Sequence, residues 1–420
     1  MLPMEWLRAT YLIRSSAAEI EARSAALAVE QSVEMPLDAV RQERIRSEVV
    51  ARVAGIEAAG ADAPDRFTVQ LDLATSTIGG DLAQLLNMAF GNCSLQPDVE
   101  LLDLDLDLHL DPDLDPGLDH GATLLPHLPG PRHGIDGLRR LVGATDRRAL
   151  TCTALKPQGQ SPEELAELAG TFARAGIDLI KDDHGLADQR SAPLGRRVAA
   201  CQRAVTEANR RSGGSSRYAP SLVGGPHQVA RQARQARDEG VEVVLVAPML
   251  VGLAGFAELL DDHEPAGEGL RGLAVLAHPA LGGAGAIAAP LLFGKLFRLV
   301  GADAVIFTNH GGRFAVSPES CRALADNARR TWAGRRPSLP VPAGGMTPER
   351  VAELVDFYGH DVALLIGGAL LQAGRDSGTE LERAARTFVD ASRAASRTPS
   401  SSGVGDGGRS PRRSSVSGVS

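Results

Sequence analysis

From Ala149 onward the sequence repeats one unit: a short apolar run rich in β-branched residues, then a stretch with helical spacing. The runs fall at 149–155, 178–183, 217–223, 241–249, 274–280, 302–309, 339–345 and 361–368. A strand buried on both faces reads as a continuous apolar stretch, as VEVVLVAPM at 241–249 does, and eight strand–helix units of this length close into a (β/α)8 TIM barrel. Helix signals agree with the spacing. Ser161-Pro162-Glu163-Glu164 supplies an N-cap serine and a first-turn proline, and 347–358 opens on Thr-Pro-Glu and stops before a glycine. An open doubly wound sheet would want a GxGxxG turn after its first strand, where this chain has Lys156-Pro157-Gln158-Gly159.

Residues 1–130 follow a different rule. Alternating runs at 8–13, 66–73 and 99–106 flank helical stretches at 17–30, 38–54 and 82–88. The expectation is an α+β N-terminal domain ahead of a barrel at 131–395, with a disordered Ser/Gly/Arg tail over 396–420. Leu and Asp alternate from Leu101 to Asp119, which reads as a strand with one wet face running into an acidic surface loop. The loop has no EF-hand glycine or closing glutamate for calcium. A length of 420 residues suits a barrel plus a companion, and the net charge of −8 argues against nucleic acid as a partner. No run reaches the roughly 18–20 apolar residues that cross a bilayer, and Met1 to Thr10 lacks a signal-peptide pattern. Cys93, Cys152, Cys201 and Cys321 are scattered singly, as expected of a cytoplasmic protein without disulfides or a zinc site.

Chemistry in such a barrel is done at the C-terminal ends of the strands. That rule selects Lys156 after strand one, Lys181-Asp182-Asp183-His184 after strand two, His278 after strand five, and Asn309-His310 after strand six. Strands seven and eight end in Gly344-Gly345 and Gly367-Gly368. Backbone N–H groups beside glycine approach an anion closely, so two such pairs on adjacent strands predict a phosphate cradle over turn glycines alone. On a strand, Lys181 and Asp183 point the same way and Asp182 the other. Lys181 with Asp183 and His184 reads either as an ion pair or as a site for a hard cation, the latter if CO₂ converts the lysine to an oxygen-bearing carbamate.

These residues resemble the Rubisco large-chain superfamily. Gly130-Pro131-Arg132-His133-Gly134-Ile135 is similar to its GPxxGI approach to the barrel, Thr153 to Gly159 (TALKPQG) to its first-strand lysine motif, and Ile180 to His184 to the stretch bearing its carbamylated lysine and metal-binding acids. Asn87–Asn92 (NMAFGN) and Ala28–Ser32 (AVEQS) resemble N-terminal segments whose Asn and Glu reach the neighbouring subunit's site. The likeness runs from about residue 8 to 390. Departures fall at functional points: Gln158 and His184 replace a lysine and an acid, and Pro279 replaces a phosphate-gripping arginine. Asn309 to Arg313 stands where the mobile CO₂-polarising lysine loop belongs, and Ala343 replaces a serine. Without that lysine, carboxylation loses its electrophilic help.

The resemblance therefore implies a Rubisco-like protein that does not fix CO₂. It implies Mg²⁺ on carbamylated Lys181, Asp183 and His184, and Mg²⁺-assisted enolisation or isomerisation of a phosphorylated ketose such as 5-methylthioribulose 1-phosphate. Lys156 would carry the proton, with His278, His310 and Asn309 as further catalytic candidates, because imidazole titrates near neutrality. Gly344, Gly345, Gly367, Gly368 and Arg313 would bind the phosphate. Glu30 and Asn92 would complete the site of a second copy, making a homodimer with shared sites. The alternatives are a decarboxylase or hydrolase of a branched 3-oxo sugar-acid phosphate, a non-catalytic homologue, and an aldolase with a Schiff base on Lys181, a lysine that flanking aspartates would hold charged.

Overall fold

A computed structural model describes residues 6–109, 128–261, 269–312, 314–332 and 334–397, with the backbone alone at 107–109. The expected acidic loop, at 110–119, and all but the first two residues of the expected tail lie outside the described residues.

Four antiparallel strands come first: β1 (Trp6–Arg14), β2 (Arg52–Ala58), β3 (Arg66–Ala74) and β4 (Val99–His109), in the order β2-β3-β1-β4. Period-two patterning buries Leu7, Ala9, Tyr11 and Ile13 of β1 with Phe67, Val69, Leu71 and Leu73 of β3. The helices Ile20–Glu30 and Leu82–Phe90 share their core, and the Tyr11 hydroxyl donates to the Ala89 carbonyl at 2.6 Å. The helix expected over 38–54 does not form. A 3₁₀ turn at Leu37–Ala39 and a six-residue helix at Glu43–Glu48 lead instead into β2. Val49, Val50, Val53 and Ile56 favour extended backbone, and pairing with β3 satisfies an edge that would otherwise be bare.

The parallel sheet consists of β5 (Leu150–Leu155), β6 (Leu179–Asp182), β7 (Arg217–Ala219), β8 (Ser221–Leu222), β9 (Val243–Val246), β10 (Ala274–Ala277), β11 (Ala304–Thr308), β12 (Leu339–Ala343) and β13 (Ala363–Leu365). These nine segments make eight staves. β7 pairs with β6, β8 with β9, and Pro220 between them lacks an N–H yet accepts the Leu245 N–H at 2.9 Å. β13 pairs back onto β5, so the ring closes as a (β/α)8 barrel.

Helices follow the staves. The first, Pro162–Ala175, carries the expected capping box between Ser161 and Glu164 and ends at Gly176, whose φ of +86° is a left-handed cap. Leu150, Cys152, Leu179, Leu245, Leu276, Ile306 and Val341 are among the residues filling the barrel interior. The helix Gly134–Leu141 closes its N-terminal end with Ile135 and Leu138. Asp303 holds that helix in place: its Oδ1 accepts the His133 and Gly134 N–H groups, and its Oδ2 accepts that of Val275. β4 meets the barrel where Leu101 exchanges backbone hydrogen bonds with Ala286 and Ala288, and where buried Lys295 donates to Asp103 at 2.8 Å.

Candidate active site

The interior cluster fixes which residues reach the C-terminal mouth. Leu150 and Cys152 face inward, so by period two Ala154 and Lys156 do as well; Leu179 leads in the same way to Lys181 and Asp183, and Leu276 to His278. The mouth thus gathers Lys156, Lys181, Asp183, His184 and His278 from three staves. Lys156 Nζ lies 2.9 Å from Asp183 Oδ2. Asp183 Oδ1 accepts the Gly185 N–H at 3.1 Å and stands 3.4 Å from His184 Nδ1. The His184 and His278 rings are stacked, 4.4 Å apart and 7° from parallel. Lys181 is buried, its Nζ donating to the Asp182 carbonyl at 2.9 Å.

Burial and charge set the protonation states. Burial pushes the Asp183 carboxyl up, but Lys156, the Gly185 N–H and Lys181 outweigh it and hold the group down at about 2. Burial lowers the Lys181 ammonium, which favours the neutral amine. His278 is pushed down to about 3 by burial first, then by Lys181 and His184. Burial and the neighbouring groups thus favour the neutral ring of His278. Its Nδ1 accepts the Ala280 N–H at 3.1 Å, which leaves the proton on Nε2 as a donor.

Asp182 points the other way, as alternation predicts. Its carboxylate is buried against Arg197 Nε at 3.0 Å, the Tyr218 hydroxyl at 2.8 Å and the Ser221 N–H at 3.0 Å. This outward clamp holds the strand end that carries Lys181 and Asp183. Sequence reading missed its partners, because Arg197 and Tyr218 sit in separate elements with no motif between them.

The remaining candidates are placed elsewhere. Asn309 is fully buried and its Oδ1 accepts the Tyr358 hydroxyl at 2.6 Å, on the helix side of its strand. His310 packs against Phe357, ring centres 4.7 Å apart. Gly344 and Gly345 adopt φ of +90° and +65°; a side chain at Gly345 would collide with the Gly312 backbone, whereas Gly344 opens onto free space. Gly367 caps the helix Gly368–Ala373 beside Ala154, and nothing fills the place of a Gly368 side chain. Arg313 lies outside the described residues. Glu30 and Asn92 bond to one another on the N-terminal unit, Asn92 Nδ2 donating to Glu30 Oε1 at 3.2 Å and to Glu34 Oε1 at 3.0 Å.

Among the described residues no three His, Cys, Asp or Glu side chains converge as a ready-made metal set. With Lys181 as an amine, the Asp183 carboxylate is paired with Lys156 at 2.9 Å and offers a hard cation a single carboxylate. Addition of CO₂ to the neutral amine, with loss of a proton, turns that nitrogen into a carboxylate-bearing group, and the residues then fit one hard cation. Beside this cluster, a small pocket lies at the ends of β6, β8, β9 and β10, lined by Leu222, Val223, Leu250 and Val251 with His184 and His278. No sequence motif marked it. Among the described residues no helix is long and apolar enough to cross a membrane.

Residues 134–398 match the family model of the ribulose bisphosphate carboxylase large chain, catalytic domain. The chain is 50% identical over 374 residues to a 5-methylthioribulose-1-phosphate isomerase of Rhodospirillum rubrum, covering 89% of this chain and 93% of that one. It is 30% identical to a 2,3-diketo-5-methylthiopentyl-1-phosphate enolase of Geobacillus thermodenitrificans, covering 87% and 88%. A crystal structure of a Rubisco-like protein from Rhodopseudomonas palustris superposes with a TM-score of 0.79 at 44% identity, covering 94% of this chain and 98% of that one.

Proposed function

The chain belongs to the ribulose bisphosphate carboxylase large-chain family, and on that premise we propose that it enolises and isomerises a ketose monophosphate and does not fix CO₂. The substrate we assign is 5-methylthioribulose 1-phosphate, the compound named for the Rhodospirillum rubrum relative. One observation carries the reading. Lys156, Lys181 and Asp183 converge at the barrel mouth with a neutral His278, while Pro279 and Ala343 stand at two points where a carboxylase holds substrate.

In this reading Lys156 removes a proton from the carbon beside the ketone and returns it at the neighbouring carbon, so the product is an isomer and no atom is lost. His278 donates its Nε2 hydrogen to an oxygen of the enediolate. Gly344, Gly345, Gly367 and Gly368 hold the phosphate through backbone N–H groups, with Arg313 as further charge. Carbamylated Lys181, Asp183 and His184 would hold Mg²⁺, which when bound supplies positive charge to the enediolate oxygens. The purified protein is expected to convert 5-methylthioribulose 1-phosphate, followed by phosphorus NMR, and to incorporate no labelled carbonate into ribulose 1,5-bisphosphate. Carbonate incorporation, or no conversion of the monophosphate, overturns the reading.

Glu30 and Asn92 extend the proposal to a homodimer in which each copy completes its partner's site. Mixing Lys156→Met and Asn92→Ala subunits is expected to restore roughly a quarter of wild-type activity, since about half of the dimers carry one intact site in two. An inactive mixture, or an Asn92→Ala protein that is fully active by itself, contradicts shared sites.

A further inference from the structure

The turn that follows β12 is held by a residue outside it. Gly344 and Gly345 stand consecutively at φ of +90° and +65°. Glycine adopts that conformation freely but does not hold it by itself, because it loses more backbone freedom on ordering than any other residue. The Gly345 carbonyl accepts from Arg350 Nη1 at 2.7 Å. The same guanidinium lies over the loop after β11, where a side chain at Gly311 would meet Nη1 at 3.2 Å, and the Gly312 backbone fills the place of a Gly345 side chain. Arg350 therefore touches both loops. Glu353 fixes it there, its carboxylate accepting from Nε at 3.1 Å and from Nη2 at 2.7 Å. Both residues belong to the start of the helix Val351–Tyr358, whose far end holds Asn309 through the Tyr358 hydroxyl and packs Phe357 on His310. One short helix thus fastens the turn after β12 at one end and the loop after β11 at the other.

We propose that Arg350 is a positioning residue for the phosphate: it braces the Gly345 carbonyl and so keeps the backbone N–H groups of the turn preorganised for the anion. The proposal rests on the reading that Gly344 and Gly345 hold a phosphate, and adds the residue that keeps their turn in shape. Ordering the turn before the ligand arrives lowers the cost of binding. Bracing, not direct contact with the anion, follows from the partners of the guanidinium. Nε, Nη1 and Nη2 each already donate to a protein oxygen, and the Glu353 carboxylate balances the charge.

Dissociation constants for inorganic phosphate, measured by phosphorus NMR on the full chain, test the brace without turnover. Arg350→Met is expected to weaken phosphate binding by about tenfold, the scale of one hydrogen bond. It is also expected to raise KM for 5-methylthioribulose 1-phosphate by a similar factor, more than it lowers kcat. The Arg350 side chain is 25% exposed, so its truncation spares the core, and thermal melting verifies the fold. Glu353→Gln removes a negative charge and leaves the guanidinium in place, and is expected to bind phosphate no more tightly than the wild type. Tighter binding in Glu353→Gln would show that the guanidinium acts on the anion by charge, and full affinity in Arg350→Met would show that the turn needs no brace; either overturns the proposal. Gly344→Ala, which adds a methyl group in the free space over the turn at a strained φ, tests the cradle itself. Loss of phosphate in Gly344→Ala with full affinity in Arg350→Met leaves the cradle standing and removes the brace. Full affinity in Gly344→Ala, or no phosphate binding by the wild type, removes both.

Discussion

Asp182 turns out of the barrel onto Arg197 and Tyr218, while Asp183, one residue on, turns into the mouth beside Lys156. The two carboxylates divide support from chemistry by strand alternation alone. The Asp182–Arg197 pair is fully buried, and removal of one partner strands the other charge in a medium that solvates it poorly. Arg197→Met is accordingly expected to destabilise the protein by roughly 3–5 kcal/mol in urea unfolding, and Asp182→Asn in the same chain to recover part of that loss. Additive losses in the double variant would show that the two residues do not act as a pair. At this scale the sequence was legible where alternation applies, at Lys181, Asp182 and Asp183. The same rule points Asn309 outward, on the face opposite Ile306, and the structure seats it under Tyr358. For His278 the ordinary pKa of imidazole is no guide, because burial and then Lys181 push it down and no local motif signals either.

All eight predicted strands occur, yet each is shorter than its apolar run. The run at 241–249 yields only Val243–Val246 in the ladder, because Pro248 starts a helical turn and the apolar residues beyond it line a pocket. Hydrophobicity marks burial, not hydrogen bonding, so it cannot separate a stave from the loop that covers the mouth. The third stave was read as one strand; Pro220 divides it while its carbonyl keeps the ladder continuous. The helix expected over 38–54 failed where four β-branched residues and an available sheet edge outweighed helical spacing. The Ser161–Glu164 cap, by contrast, is local chemistry and formed as read. Motif spacing placed the lysine–aspartate cluster and the glycine pairs, but the apolar pocket is assembled from the ends of four strands and leaves no linear signal.

At the scale of the molecule, the antiparallel sheet and the barrel are packed through one continuous core and joined at Leu101 and where buried Lys295 meets the partly exposed Asp103. The open end of the barrel carries the charged cluster on one arc, backbone glycines on a second and an apolar wall on a third. The proposed reaction depends on a proton leaving carbon at Lys156. Deuterium uptake from D₂O into 5-methylthioribulose 1-phosphate, with Mg²⁺ and bicarbonate, measures that step without waiting for product. The account predicts uptake by the wild type, loss of uptake on chelation of Mg²⁺, and a decrease of about 100-fold or more in Lys156→Met. Uptake that survives unchanged in Lys156→Met, or a wild type that exchanges no carbon-bound hydrogen, would contradict it.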